Sequence, residues 1–249
     1  MKKILFAMAL AAVAFACNKS EEAGATAAGE GTLAVRLATT TELSNTTDED
    51  KTTVAAPTDE LFNLSIADLA TATAIYEGSL ADYDTATLIP QGEKSLRVWY
   101  GEVTDEGYDK PYFNGTATAT VQGYGLATEA TIEVSVANAV IAIETTELFD
   151  RYFQSASFTI VTKNCTEGHT YGAEGLLFVE PHEVTIKCVA VGPTGTEHTL
   201  EQKTPALQPQ KRNIVCFDMQ QAGNAVVNIE FNNQTIASEI IEVELNDKA

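Results

Sequence analysis

The chain has 249 residues, 45% of them hydrophobic, enough to bury one large core or two of ordinary domain size. With 15 basic residues against 35 acidic ones the formal charge is −20, and a surface of that sign repels phosphate backbones, which argues against nucleic acid as a partner. Of four cysteines, Cys17 ends the leading segment, so Cys165, Cys188 and Cys216 allow at most one internal disulfide, with Cys165–Cys188 as the candidate, and no disulfide scaffold.

Lys2 and Lys3 precede an apolar run, Ile4 to Val13, and then Ala14-Phe15-Ala16-Cys17. This is the layout of a secretory signal, too short to span a bilayer as a stable helix. A small residue directly before a cysteine resembles the lipobox of bacterial lipoproteins. The resemblance implies that residues 1–16 are a signal peptide, and that Cys17 becomes the N-terminus and carries palmitate-type acyl chains. Two such chains anchor a protein stably without a membrane helix. Residues 17–31 read as a flexible tether, since none of Asn18 to Gly31 is an apolar residue larger than alanine. Within it, Lys19-Ser20-Glu21-Glu22 resembles the export signal of Bacteroidetes lipoproteins. That resemblance implies a lipid-anchored protein of the outer membrane, exposed at the cell surface.

Thr32 to Leu37 alternates, with Leu33, Val35 and Leu37 on one face, as a half-buried strand does. Thr39 to Thr58 is polar, with Leu43 and Val54 its only large aliphatic residues, and reads as a long exposed loop open to proteolysis. Period-two faces then recur: Phe62, Leu64 and Ile66; Leu96, Val98 and Tyr100; Ala117, Ala119 and Val121; Ile132, Val134 and Val136; Ala139, Ile141 and Ile143. Thr146 to Phe153 breaks the rhythm. A threonine cap and apolar residues at helical spacing predict a short helix there. Strands resume around Phe158, Leu177, Val184 to Cys188, His198, Val215 to Met219, Ala225 to Phe231 and Ile240 to Leu245.

Many short strands with no helices between them predict an all-β chain of two tandem β-sandwich domains, residues 32–145 and 146–249, the second opening with the helix. Phe62, Leu64, Leu96, Val98, Ile132, Val134 and Ile141 are expected to share the first core. Val184, Ile186, Phe217, Val227, Ile229 and Val243 are expected to share the second.

Gly31-Thr32-Leu33-Ala34-Val35, the run Leu88 to Val98 with its Pro90-Gln91-Gly92 turn, Tyr112-Phe113-Asn114-Gly115 and Phe149-Asp150-Arg151-Tyr152-Phe153, after the lipobox, resemble an uncharacterised family of Bacteroidetes lipoproteins. Its neighbours are fimbrillin-like adhesins of two transthyretin-like sandwiches. The resemblance implies a non-enzymatic surface protein of adhesin or fimbria-associated type, acting through a protein partner or surface ligand and with no cofactor. It supplies no catalytic residues. Leu33, Val35 and Leu37 mark the strand that could be exchanged between subunits. Pilins of this kind mature at an arginine in the first long loop; here that loop has Lys51 instead.

The alternative is a glycan-binding lipoprotein that stacks sugars on Trp99, Tyr108 and Tyr112. Cys165 and His169, even with His182 and Cys188, lack the spacing of a metal site, so no metal is expected. Asp82 and Asp84 suit turn capping better than a glycosidase pair. Asp84-Thr85-Ala86 fits a short O-glycosylation acceptor of Bacteroidetes, with Thr85 as the modified residue.

Overall fold

A computed structural model describes residues 29–241 apart from 48, 49, 173 and 223. The signal segment, Cys17, most of the tether, and the end of the last predicted strand with Val243 and Leu245 lie outside the described residues.

The chain runs through β1 (Glu30–Thr40), β2 (Glu42–Asn45), β3 (Lys51–Thr53), β4 (Asn63–Asp68), β5 (Ala74–Ser79), β6 (Ile89–Pro90), β7 (Gly92–Tyr100), β8 (Gly107–Tyr108), β9 (Phe113–Val121) and β10 (Ala127–Val136). It continues as β11 (Ala139–Thr145), α1 (Glu147–Tyr152), β12 (Ser155–Val161), β13 (His169–Tyr171), β14 (Leu177–Val179), β15 (Thr185–Val191), β16 (Glu197–Lys203), β17 (Lys211–Ala222), β18 (Asn224–Phe231) and β19 (Gln234–Ile241). The fold is all-β, two sandwiches with one short helix. No helix among the described residues is long and apolar enough to cross a membrane.

The first sandwich is one curled sheet, in the order β5-β4-β7-β9-β10-β1-β6. The alternation seen in the sequence turns Phe62, Leu64, Ile66, Leu96, Val98, Ile132 and Val134 onto a common core. Lys94 occupies the same face of β7 two residues before Leu96 and is fully buried, with its ammonium 2.8 Å from the Asp68 carboxylate. Three donors, the Lys94 ammonium foremost and then the Thr71 N–H and hydroxyl, hold Asp68 down to about 2.

The second sandwich packs a four-stranded sheet, β13-β12-β15-β16, over a sheet in the order β19-β18-β17-β11-β14-β8. Ile160, Ile186 and Cys188 meet Ile143, Phe217, Val227 and Ile229 between them. Thr146 caps α1, its hydroxyl accepting the Phe149 N–H at 3.4 Å, and α1 buries Phe149 in this core.

One core assignment needs correcting. Ile141 lies in the second core, because β11 does not fold back on β10. Instead β11 pairs in parallel with β17 from Val140↔Arg212 to Thr145↔Phe217, and antiparallel with β14. Ala139, Ile141 and Ile143 face the second core while Val140, with Phe178 of β14, faces the first. The two-residue link Ala137-Asn138 is a crossing between sheets. Buried Asn138 secures it: its carbonyl oxygen accepts the Tyr112 N–H at 3.2 Å and its amide donates to the Lys110 carbonyl at 3.2 Å.

Candidate functional site

The first strand is longer than its alternating stretch suggests and carries an open edge. β1 pairs in parallel with β10 from Thr32↔Ala127 to Thr40↔Ser135, and with β6 only at Glu30 and Gly31. Thr32 N–H donates to the Leu126 carbonyl at 3.1 Å, so even-numbered residues of β1 aim their backbone groups at β10. Odd-numbered ones aim away, and these end in a bounded slot. The Tyr83 hydroxyl caps the Leu33 carbonyl at 3.0 Å, and the Val54 N–H caps that of Thr41 at 2.9 Å. Between them Val35, Leu37 and Thr39 face no main-chain partner among the described residues. At about 3.3 Å per residue the slot is roughly 26 Å long, room for an added strand of about six residues.

The same parity fixes the side chains. Leu33 is fully buried, but Val35 and Leu37 only partly cover the core, because among the described residues nothing closes the sheet outside them. Gly31 has no room for a side chain, since a Cβ would stand 2.0 Å from the Gln122 carbonyl oxygen. Tyr83 and Val54, which bound the slot, gave no signal in the sequence beyond being apolar residues among polar ones.

The expected exposed loop after β1 is overturned. β2 pairs in parallel with β17 (Ser44↔Lys211, Asn45↔Arg212) and antiparallel with β3. Its two large aliphatic residues, Leu43 and Val54, are buried in the first core. Thr46 donates its N–H to the Arg212 carbonyl at 3.1 Å and its hydroxyl to the Asn232 side chain. The segment therefore ties β1 to the second sandwich, and a cut within it would disturb bonded backbone.

The residues singled out for glycan contact are spread over two packing environments. Tyr112 is buried, and its hydroxyl accepts from Arg97 at 2.9 Å. That guanidinium also lies 4.8 Å from the centre of the Trp99 ring, covering it. Tyr108 packs against the second core, donating to the Thr170 carbonyl at 3.1 Å and accepting the Gly172 N–H at 3.2 Å. The three form no common exposed platform. A cleft of about 430 Å³ opens beside them between Val54, Pro57, Tyr100, Pro111, Leu176 and Phe178.

Acids and histidines meet where the loop before β8 enters the second sandwich. Glu106, Glu180 and His182 bring ligand atoms within 4.8 Å of one another. Glu106 accepts from the Thr162 hydroxyl, from the Asn164 amide at 3.0 Å and from the Glu180 N–H at 2.9 Å. Glu180 is paired with Lys163, and the Lys163 N–H donates to His182 Nε2 at 3.1 Å. Lys163 first, and then Asn164, hold the Glu180 carboxyl below its usual range. A cation would have to displace that lysine, so the cluster is a clasp between the sandwiches. Cys165 and His169, flagged in the sequence, lie in the same region, with His169 Nε2 at 3.7 Å from Glu106.

All three described cysteines are free. Burial pushes the Cys188 thiol up to about 12 and, with Glu230, Asp218 and Glu144 adding to it, Cys216 to about 11, so neither supplies thiolate at neutral pH. Asp84 accepts the Ala86 N–H at 2.9 Å in a turn that leaves Thr85 exposed.

Residues 29–247 match the family described as Domain of unknown function (DUF4493). No curated protein matches the chain. A fimbrial assembly protein from Parabacteroides distasonis is similar in structure at 11% identity, over 85% of this chain and 98% of that one, with a TM-score of 0.38. The fimbrial anchor protein Mfa2 from Porphyromonas gingivalis is similar at 11% identity, over 84% of this chain and 100% of that one, with a TM-score of 0.36. A Bacteroides thetaiotaomicron protein provisionally assigned to polysaccharide binding is similar at 10% identity, over 81% of this chain and 98% of that one, with a TM-score of 0.41. None of these likenesses is close enough to carry a residue-level argument.

Proposed function

The chain belongs to the DUF4493 family, which assigns it no activity, and we propose that it is a non-enzymatic surface lipoprotein of adhesin or fimbria-associated type. It acts by protein–protein contact, and the observation that carries this reading is the slot on β1. An extended segment of a partner adds there as a strand, main-chain bonds to Val35, Leu37 and Thr39 giving affinity and the half-buried Val35 and Leu37 giving register. The acyl chains on Cys17 hold the protein on the outer membrane.

The pairing of β2 with β17 favours a strand that stays covalently attached, as in an anchor or stand-alone adhesin, over one removed by proteolysis as in a pilin subunit. A photo-crosslinking residue at Thr39, on cells of the source organism, tests the contact. The expected result is an adduct with a second protein, together with a mature N-terminal peptide that begins at acylated Cys17. No adduct at Thr39 sinks the contact reading, and a mature form that begins within residues 39–58 sinks the retained strand.

A further inference from the structure

The two ends of the first sandwich differ in charge. At the end where the chain enters, the turn between β4 and β5 (69–73), Gln91 and Gly92 at the start of β7, and the turn between β9 and β10 (122–126) contain no charged residue, in a chain with 35 acids. Of the eight large hydrophobic side chains exposed among the described residues, four stand on or beside these turns: Leu69, Leu88, Tyr124 and Leu126. Tyr124 is 74% exposed and Leu126 52% exposed. Tyr124 is held at φ 61°, a left-handed backbone unusual for an aromatic residue. The nearest acids are Asp68, whose carboxylate is paired with Lys94 and caps the 69–73 turn, the half-buried Glu30, and the exposed Glu93 and Glu129, the last paired with Arg36. The opposite end exposes Asp59, Glu60, Glu102 and Asp105, and it is there that the chain passes to the second sandwich.

The neutral end is also the one nearest the N-terminus. The Glu30 main-chain carbonyl is bonded to its turn, accepting the Gly125 N–H at 2.8 Å, and Cys17 lies only twelve positions before Gly29. A tether of that length reaches at most about 40 Å and leaves the orientation open, so the surface that meets the bilayer must decide it.

We propose that this neutral end seats on a lipid bilayer, with Tyr124 and Leu126 at headgroup level. Tyrosine and leucine suit that depth, and turns without charged side chains avoid the desolvation cost that acidic turns would meet there. The second sandwich, joined at the far end, then points away from the membrane. The proposal rests on the lipid-anchored reading and adds an orientation to it.

Trp99 is the chain's one tryptophan, so Trp99→Phe gives a dark background. Into it go Tyr124→Trp or Glu102→Trp, in the mature chain with a hexahistidine in place of residues 1–17. Phosphatidylethanolamine vesicles doped with nickel-chelating lipid and brominated acyl chains hold the chain by its N-terminus whether or not cells acylate Cys17. Failure of anchoring in cells and failure of seating are thereby separated. Nine residues of β7 put the two ends about 30 Å apart, against an insertion depth of about 5–10 Å. The expected result is blue-shifted indole emission from the Tyr124→Trp protein, dimmed at least about two-fold more than that of the Glu102→Trp protein, with the difference lost when Leu126→Ser is added. Equal dimming of the two proteins, or no dimming of the Tyr124→Trp one, overturns the proposal. So does a soluble dimer that Leu126→Ser dissolves, which would assign the surface to a second copy.

Discussion

β1 and β11 are both bonded in parallel to a strand that comes much later in the chain, yet they have opposite roles. β11 has a neighbour on each side and a core on each face, Ile141 and Ile143 in one and Val140 in the other. Among the described residues β1 has a neighbour along one side, with β6 meeting the other only at Glu30 and Gly31, and one apolar face, of which only Leu33 is fully buried. The lesson is that pairing direction does not distinguish a strut from a contact strand. What distinguishes them is whether the second edge and the second face are covered.

Removing a side chain shared with the strut's far face should have the largest effect. Phe178, beside Val140 on the first-core face, is buried although its strand belongs to the second sandwich. Phe178→Ala is expected to cost about 3–5 kcal/mol in denaturant unfolding. It should lower both sandwiches in one shared transition; two separated transitions would mean that β11 and β14 do not couple the cores. Next comes the crossing itself. Asn138→Ala leaves a buried N–H and a buried carbonyl without partners, and an expected loss of about 2–4 kcal/mol is measurable the same way.

A smaller effect sharpens the account of β1. Proline at Ala38 removes an N–H aimed at β10, so Ala38→Pro should lose about 1–2 kcal/mol. Thr39→Pro removes one aimed at the open slot, and should leave stability within about 0.5 kcal/mol while abolishing co-purification of the partner that the crosslink identifies. Equal destabilisation by both would refute the assigned parity.

The smallest effect is electrostatic and lies at the neutral end. The folded value of Asp68 is depressed to about 2, so its contribution is present above its ordinary value and is lost as pH falls from about 4 towards 2. Lys94→Met should flatten unfolding midpoints across that acid window, and an unchanged slope would show that the pair does not set it.

The period-two faces made most of the fold legible, because a strand that packs on one side must alternate. The short helix was legible from Thr145 and Thr146, either of which could cap it, and from the spacing of Leu148, Phe149, Tyr152 and Phe153. β11 was misplaced because adjacency in sequence and its period-two face grouped it with β10 in the first domain. Yet Ala139 to Ile143 has no polar alternate, and such a run belongs to a strand buried on both faces. β2 and β3 were missed because short strands among threonines and acids carry almost no pattern, although the isolated Leu43 and Val54 marked where the segment is buried. The slot was legible only in part. Alternation located β1, but whether its second edge is covered depends on Tyr83 and Val54, which only tertiary structure brings there.

Backbone hydrogen exchange along β1 tests the open slot most directly. In the monomer, the amides of Val35, Leu37 and Thr39 are expected to exchange much faster than those of Ala34, Arg36 and Ala38, while β11 stays protected throughout. Slow exchange at all six β1 positions would mean the edge is already covered, and would contradict the account of β1 as the contact strand.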